Sequence, residues 1–535
     1  MTRLLSLLAC ARQFAQKPSQ WRAWLLWAVV VFGVFNLGPS IDEREDMARE
    51  LDAQSNGTAV VSYRFFTLAG RERELHPAAP PLLAEVEVGV PYLLRRAAAM
   101  QLSDQGDMRR YAAYVSAALG RPYQPYFVRS LAAWEQDIQH RSKRGDRSHS
   151  YNPHAAVVVP KAPLVPYRDY SVEYPPGFWA WVLPIGLFNS TPYVFPILFS
   201  LWMGVLLSAA LWIASKLRVD LYGENVRAKH IYLAAALVLS LGVISTMRFD
   251  AVVALLAVIA IYTAVRERAA WSGFAVGVGV ATKLVPILIA PALCIYLVAT
   301  AHRATRTGTM AAFRFITAAT LGALLLVLPV WIVSGSSILD MFRYHANRPL
   351  EIETIWAAGV SLWDNSVLAP AQREFSFGSM NVVSSHSRQI TLFAKLFSVA
   401  ALLSMSAYSC VQIARCADTT QRARMLVSSS IGILLVFAFL GVVFSPQYLL
   451  WVLPMSAALL PPRSRVMAAT LWAAFALTQL LFPILFVELA DLNVWVHGIS
   501  LLRTTLLAAY VVLLLRHGFG RAGHEPAFAT SPTTP

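Results

Sequence analysis

What most constrains this chain is the recurrence of apolar runs about as long as a bilayer is thick. A helix needs roughly 20 mostly apolar residues to cross the hydrocarbon core, where every backbone amide must be satisfied internally. Such runs lie near 21–38, 191–215, 230–247, 250–266, 312–334, 390–414, 426–444, 447–461, 467–487 and 497–515. A further stretch, 270–301, is long enough to cross twice but is interrupted by Lys283, Pro286 and Pro291. Composition agrees: 57% hydrophobic residues, only 14% charged residues and a mean hydropathy of +0.52 do not describe a soluble protein of 58.9 kDa. The reading is an all-α polytopic membrane protein with a bundle of about 12 transmembrane helices.

Orientation follows from Lys and Arg in the short loops, which favour the cytoplasmic side. Arg3, Arg12, Lys17 and Arg22 precede the first run. Further clusters are Lys216, Arg218, Arg227 and Lys229; Arg266 and Arg268; Arg303, Arg306 and Arg314; Arg415, Arg422 and Arg424; and Arg463 and Arg465. Both termini are therefore expected inside, in a bacterial inner (plasma) membrane. The stretch 270–301 has inside loops at both ends, so it must return to the side it left, which carries Lys283 toward the outer face. The net charge of +15 follows largely from this pattern and does not call for nucleic acid as a partner.

The expected organisation is lopsided. It runs from a cytoplasmic N-terminus (1–20) and first transmembrane helix (21–38) to a large extracytoplasmic loop with short helices (39–176). A transmembrane core (177–334), a second extracytoplasmic loop (335–389), C-terminal transmembrane helices (390–515) and a cytoplasmic tail (516–535) follow. Long ordered loops in a compact protein usually carry function, so the chemistry is expected in the outer ones. Cys10, Cys294, Cys410 and Cys416 fall in helices or on the inner side, so no disulfide framework is implied.

Two segments of the first outer loop stand out. Asp107-Met-Arg-Arg-Tyr111, continuing to Gly120-Arg-Pro-Tyr123, reads as a short helix with an acid at its start and a turn at its end. Tyr167-Arg-Asp-Tyr-Ser-Val-Glu-Tyr-Pro-Pro-Gly177 is charged, aromatic and Pro-rich, and leads into an apolar stretch at the membrane surface. Taken alone, Asp107 would be a helix cap and Glu173 a solvated loop residue. The spacing Gly273-Phe-Ala-Val-Gly277 suits helix packing better than phosphate binding, because no P-loop context surrounds it.

In this order the motifs resemble the C-type membrane glycosyltransferases that use polyprenyl-phosphate sugars, and most nearly glycosyltransferase family 87, the polyprenol-phosphate mannosyltransferases. The resemblance rests on Asp107 to Tyr111, Gly120 to Tyr123 and Asp169 to Pro176. It extends to Arg248-Phe-Asp250, Thr282-Lys283-Leu-Val-Pro286, Tyr344-His-Ala-Asn-Arg348-Pro-Leu-Glu351 and Phe444-Ser-Pro-Gln-Tyr448. Two insertions depart from the pattern: some sixty residues separate the first run from Asp107, and 124–166 parts motifs usually close together. Asp42, Glu43 and Asp46 are accordingly rivals of Asp107.

The resemblance implies transfer of a hexose, mannose favoured, from a polyprenyl-phosphate donor to a glycolipid or glycan acceptor at the extracytoplasmic face. A sugar on a lipid phosphate already has a good leaving group, so the enzyme must deprotonate an acceptor hydroxyl and stabilise the departing phosphate. Asp107 or Glu173 would be the base. Arg248, Lys283, His345 and Arg348 would hold the phosphate, with Arg248 and Lys283 also readable as snorkelling side chains. Tyr111, Asp169, Tyr174, Glu351, Gln447 and Tyr448 would contact substrate. A single base and an activated donor suggest inverting displacement. A divalent metal on Asp107 and Glu173 has no compact ligand cluster behind it, and no cofactor is called for. An O-antigen polymerase or ligase, or less readily a transporter, would also fit a chain of this kind. A transporter would be expected to carry mid-membrane charges and a repeated half.

Overall fold

In the computed structural model the described residues are 106–121, 162–188, 194–223, 228–242, 244–303, 307–364, 371–377, 379–460 and 464–519, with two-residue strands at Phe65–Phe66 and Glu72–Arg73. The first expected transmembrane helix, the acids at 42–46 and residues 520–535 of the expected tail lie outside them, whereas 516–519, expected as the start of the tail, continue the last helix. Among the described residues the fold is helical, with sheet confined to two two-stranded ribbons. Chain order is α1 (Gly106–Ala118), α2 (Trp179–Phe188), α3 (Val194–Tyr222), α4 (Ala228–Leu241), α5 (Asp250–Val265), α6 (Ala269–Thr282), α7 (Ala290–Arg303), α8 (Gly308–Ser334) and α9 (Asp340–Ala346). After α10 (Ile355–Asp364), strands Gln372–Ser376 and Ser379–Val383 form an antiparallel hairpin. The chain then continues through α11 (Ser387–Arg415), α12 (Thr419–Leu440), α13 (Leu449–Leu459), α14 (Arg465–Gln479), α15 (Phe486–Ala490) and α16 (Val494–Phe519).

Against an expectation of about 12 spans, six helices among the described residues are long and apolar enough to cross a membrane, and five apolar helices are shorter. Part of the difference has a local cause, and part lies in the run 21–38, which is outside the described residues. The apolar run 270–301 is cut at Lys283, whose backbone is extended (φ −155°, ψ 131°). Pro286 then opens a 3₁₀ segment, Val285–Ile289, before α7 begins. At 1.5 Å per residue, the 14 residues of α6 reach only about 21 Å.

Small residues let α6 and α8 cross almost backbone to backbone. A Cβ at Gly273 or Gly277 would collide with the carbonyl of Phe315 or Ala319. In lipid, such close approach replaces the hydrophobic drive that water would supply. Gly277→Leu is therefore expected to separate the pair and lower the detergent-solubilised Tm markedly, whereas a leucine at Gly335, which has open space around it but φ +61°, should act only through local strain.

Arginines of the loops expected on the inner side also close helix ends. Buried Arg218 donates from Nη1 to the carbonyls of Ala458 and Leu460 (3.0 and 2.8 Å). Arg424 donates to the carbonyl of Leu221 from Nε and Nη2 (3.1 and 3.0 Å), and Arg422 donates to that of Cys416. Cations there satisfy carbonyls left over at helix C-termini and meet the negative end of the dipole. Arg218 and Arg266 lie near or just beyond the C-terminal ends of α3 and α5, whereas Phe199 and Asp250, near the N-terminal ends of the same helices, belong to an aromatic and charged cluster at the opposite end of those helices.

Candidate active site

The helix α1 opens with Asp107 and buries Met108, Tyr111, Tyr114 and Val115. Tyr111 packs against Tyr174, Phe178, Phe199 and Phe249 with ring centroids 5.2 to 5.9 Å apart. This aromatic basin seats α1 against α2 and α3 and fixes where its acidic first turn points.

Around that turn the charges alternate. Arg110, one turn on, pairs with Asp107 and reaches Glu173 at 2.6 Å. Arg248 approaches the other oxygen of Asp107 at 3.0 Å. Tyr114 donates its hydroxyl to Glu173 (3.0 Å), and the carbonyl of Glu173 lies 3.0 Å from Nε2 of His345. Burial alone would raise the Asp107 carboxyl, but Arg248 and then Arg110 overcome it and hold it down to about 2. Burial pushes the hydroxyls of Tyr111, Tyr114 and Tyr174 well above their ordinary values, so they stay neutral donors.

Beside this group, Lys283 donates to Asp250 at 2.7 Å, and Trp451 donates its indole N–H to the same carboxylate oxygen at 2.6 Å. The ammonium lies 5.1 to 5.2 Å from the ring centroids of Phe249, Tyr448 and Trp451, an aromatic cage that suits a cation withdrawn from water. On the far side of Tyr448, Arg348 donates to the Ser379 hydroxyl at 3.0 Å and stands 3.7 Å from Glu351. Burial raises the Glu351 carboxyl against the opposing pull of Arg348.

Of the residues singled out in the sequence, Asp107, Tyr111, Glu173, Tyr174, Arg248, Lys283, His345, Arg348, Glu351 and Tyr448 converge here. Asp169 does not join them. Its carboxylate accepts from the backbone N–H of Val165 (2.7 Å) and pairs with Arg168 (2.9 Å), which organises its own turn. Gln447 lies half-buried in the 3₁₀ turn Pro446–Tyr448. Among the described residues no group of three or more His, Cys, Asp or Glu side chains is placed to hold a metal ion.

The model of glycosyltransferase family 87 matches residues 173–446, just over half of the chain. The chain belongs to glycosyltransferase family 87. It is thus a transferase and, with its several long apolar helices, a multi-pass membrane glycosyltransferase. No curated protein matches it. The family-87 stretch opens on Glu173 and closes on Pro446, so it spans Arg248, Lys283, His345, Arg348 and Glu351, whereas Asp107 and Arg110 come before it.

Four contributors to the cluster were not singled out as site residues in the sequence. Arg110 could have been found, since a basic residue three places after an acid on a helix shares its face. Arg503, buried among apolar residues of α16, was open to the same notice, because a charge inside an apolar span is rarely incidental. Asp250 was visible only as part of a short motif, and nothing in the sequence joins Trp451 to it.

Proposed function

We propose that this family-87 enzyme transfers a hexosyl group, mannose favoured, from a polyprenyl-phosphate donor to a glycolipid or glycan hydroxyl at the extracytoplasmic face of a bacterial plasma membrane. Asp107 is the base, and the reaction proceeds with inversion. The observation that carries the reading is the pairing of cations with acids among the described residues: Arg110 and Arg248 on Asp107, Arg110 on Glu173, Lys283 on Asp250 and Arg348 beside Glu351.

A phosphate entering a cluster of paired charges takes a cation from an acid. Arg248, 3.0 Å from Asp107, is the one to turn toward it, with Lys283 and Arg348 adding positive charge and His345, which burial and Arg348 hold down to about 4 and so keep neutral, adding a hydrogen bond. Asp107 then loses the partner that most depresses its pKa and gains basicity at the moment an acceptor hydroxyl arrives. The hydroxyl oxygen attacks the anomeric carbon as its proton passes to Asp107. The C–O bond to the lipid phosphate breaks, and the leaving oxygen's charge is met by the cations.

The surroundings suit a lipid donor. The α7 helix packs against both α8 and α11, whose apolar windows are only 6% and 11% buried. The turn Val285–Ile289, with Ile287 exposed, joins Lys283 to α7. A polyprenyl chain lying along α7 between those two helices would bring its phosphate up to the caged lysine.

The sign of the pH response follows. A base works deprotonated, so raising its pKa moves the acid-side loss of activity to higher pH. kcat/KM reports the free enzyme, where Asp107 is held down to about 2, and this group should give it no acid limb above about pH 4. kcat reports the complex, in which Arg248 has turned away, and its acid limb should lie at higher pH. Coincident limbs in the two profiles would contradict the handover of Arg248.

The donor class is tested by offering purified enzyme in lipid labelled polyprenyl-phosphate hexoses, the corresponding nucleotide sugars and an oligosaccharide-diphosphate lipid. Transfer from the monophosphate lipid alone is expected. Transfer from the diphosphate lipid alone would favour a polymerase or ligase instead.

A further inference from the structure

Behind Tyr448 lie three charged side chains that the reaction above leaves incompletely bonded. Glu351 is 5% exposed, and its Oε2 has no partner among the described residues; nor has Nε of Arg348 beside it. Arg503 of α16 is fully buried. It donates from Nη2 to the carbonyl of Glu353 and to Ser500 Oγ (3.1 Å), lies 3.9 Å from the Phe444 ring centroid, and leaves Nε and Nη1 without partners. Buried polar atoms are nearly always hydrogen-bonded, so such a group is a place where something is missing.

The donor and acceptor inventory says what would fit. A carboxylate only accepts and a guanidinium only donates. The donor phosphate, even where another N–H of Arg348 helps to hold it, cannot serve Glu351 Oε2, because at neutral pH it only accepts and would be repelled. A hydroxyl does both. Two neighbouring hydroxyls on a sugar ring can donate to Glu351 Oε2 and accept from Arg348 Nε. Arg348 lies 6.0 Å from the ring centroid of Tyr344, and Tyr448 stands close to both charges, so aromatic faces for the C–H side of a sugar are at hand. Tyr344 in turn packs on the His345 ring at 5.3 Å, and His345 Nε2 lies 3.0 Å from the Glu173 carbonyl, which sets the pair beside the reacting centre.

We propose that Glu351 and Arg348 form a hydroxyl-recognition subsite for the transferred hexosyl group, and that Arg503 is the positioning residue that holds it. The inference rests on the donor reading given above. Arg503 lies outside the family-87 match, yet it ties together the two segments that build the subsite. It binds the backbone at Glu353 and covers Phe444, while the Glu351 N–H donates to the Val442 carbonyl at 3.0 Å. The subsite determines which hexose is accepted.

The test uses full-length enzyme in lipid with polyprenyl-phosphate mannose and the set of its mono-deoxy analogues, comparing wild type with Glu351→Leu, Glu351→Gln, Arg503→Met and Arg503→Lys. Glu351→Leu is expected to lose about tenfold to a hundredfold in kcat/KM on the parent donor and little on the one analogue that lacks the recognised hydroxyl. Glu351→Gln, which keeps an acceptor and the shape, should show the same selectivity pattern with a smaller loss, and it carries the comparison if the leucine variant does not fold. Arg503→Met should blur discrimination among the analogues, and Arg503→Lys should restore part of it. Equal losses on every analogue would overturn the subsite while leaving the donor reading intact. Failure of wild type to use any polyprenyl-phosphate hexose would overturn the donor reading and the subsite with it.

Discussion

Asp107→Asn is expected to lower kcat by about 10²- to 10⁴-fold, the range associated with removing a positioned general base. Asn keeps the size of the side chain and can still accept from Arg110, so α1 should stay seated in its aromatic basin and the thermal transition should move little. The charge is what disappears. With Asp107 neutral, Arg248 and Arg110 retain fewer anionic partners, and donor phosphate should bind no more weakly than in wild type. A fall in kcat without a rise in donor KM is the expected signature, read from initial rates on purified enzyme whose folding is checked by thermal unfolding. A fully active, folded Asp107→Asn protein would move the base to Glu173 or to the acids at 42–46.

Lys283→Met should instead act on stability. The change strips Asp250, 1% exposed, of its ion pair and leaves its carboxylate with the Trp451 indole as its remaining strong donor. Breaking a buried pair by removing one partner costs about 3–5 kcal/mol, because the orphaned charge cannot reach water. Removing the second charge as well, in Lys283→Met with Asp250→Asn, should return most of the lost stability. The double variant then separates two roles of the lysine. If Lys283 also receives the donor phosphate, the double variant will be folded and still impaired in transfer. Full activity in the double variant would make Lys283 purely structural.

Much of the architecture was legible because lipid imposes a simple rule: backbone amides must pair within a helix, so apolar length announces helices. Runs such as 390–414 and 497–515 return as α11 (Ser387–Arg415) and α16 (Val494–Phe519), with ends a few residues further out. The number of crossings was less legible. The interruption at Lys283 and Pro286 is visible in the sequence, but hydropathy alone does not say that it leaves two helices of 14 residues each, too short to span on their own.

The candidate site was legible in its parts more than in its pairing. Asp107, Glu173, Arg248 and Lys283 could be singled out because each is a charge beside an aromatic or apolar segment that gives it a reason to be there. Their partners lie far off in sequence: Trp451 is 201 residues from Asp250, and Glu173 is 172 residues from His345. No local periodicity encodes such contacts. Asp169 illustrates the converse, since it shares the motif of Glu173 but sits in a turn that its own carboxylate closes.

The central claim is a direct displacement at the anomeric carbon, with Asp107 as base and no covalent sugar on the enzyme. It is tested most directly by determining, by NMR, the anomeric configuration of the glycosidic bond formed from a polyprenyl-phosphate hexose of defined configuration. Inversion relative to the donor is the result the account predicts. A product with the donor's configuration would contradict it, because retention requires a second displacement or a different attacking face.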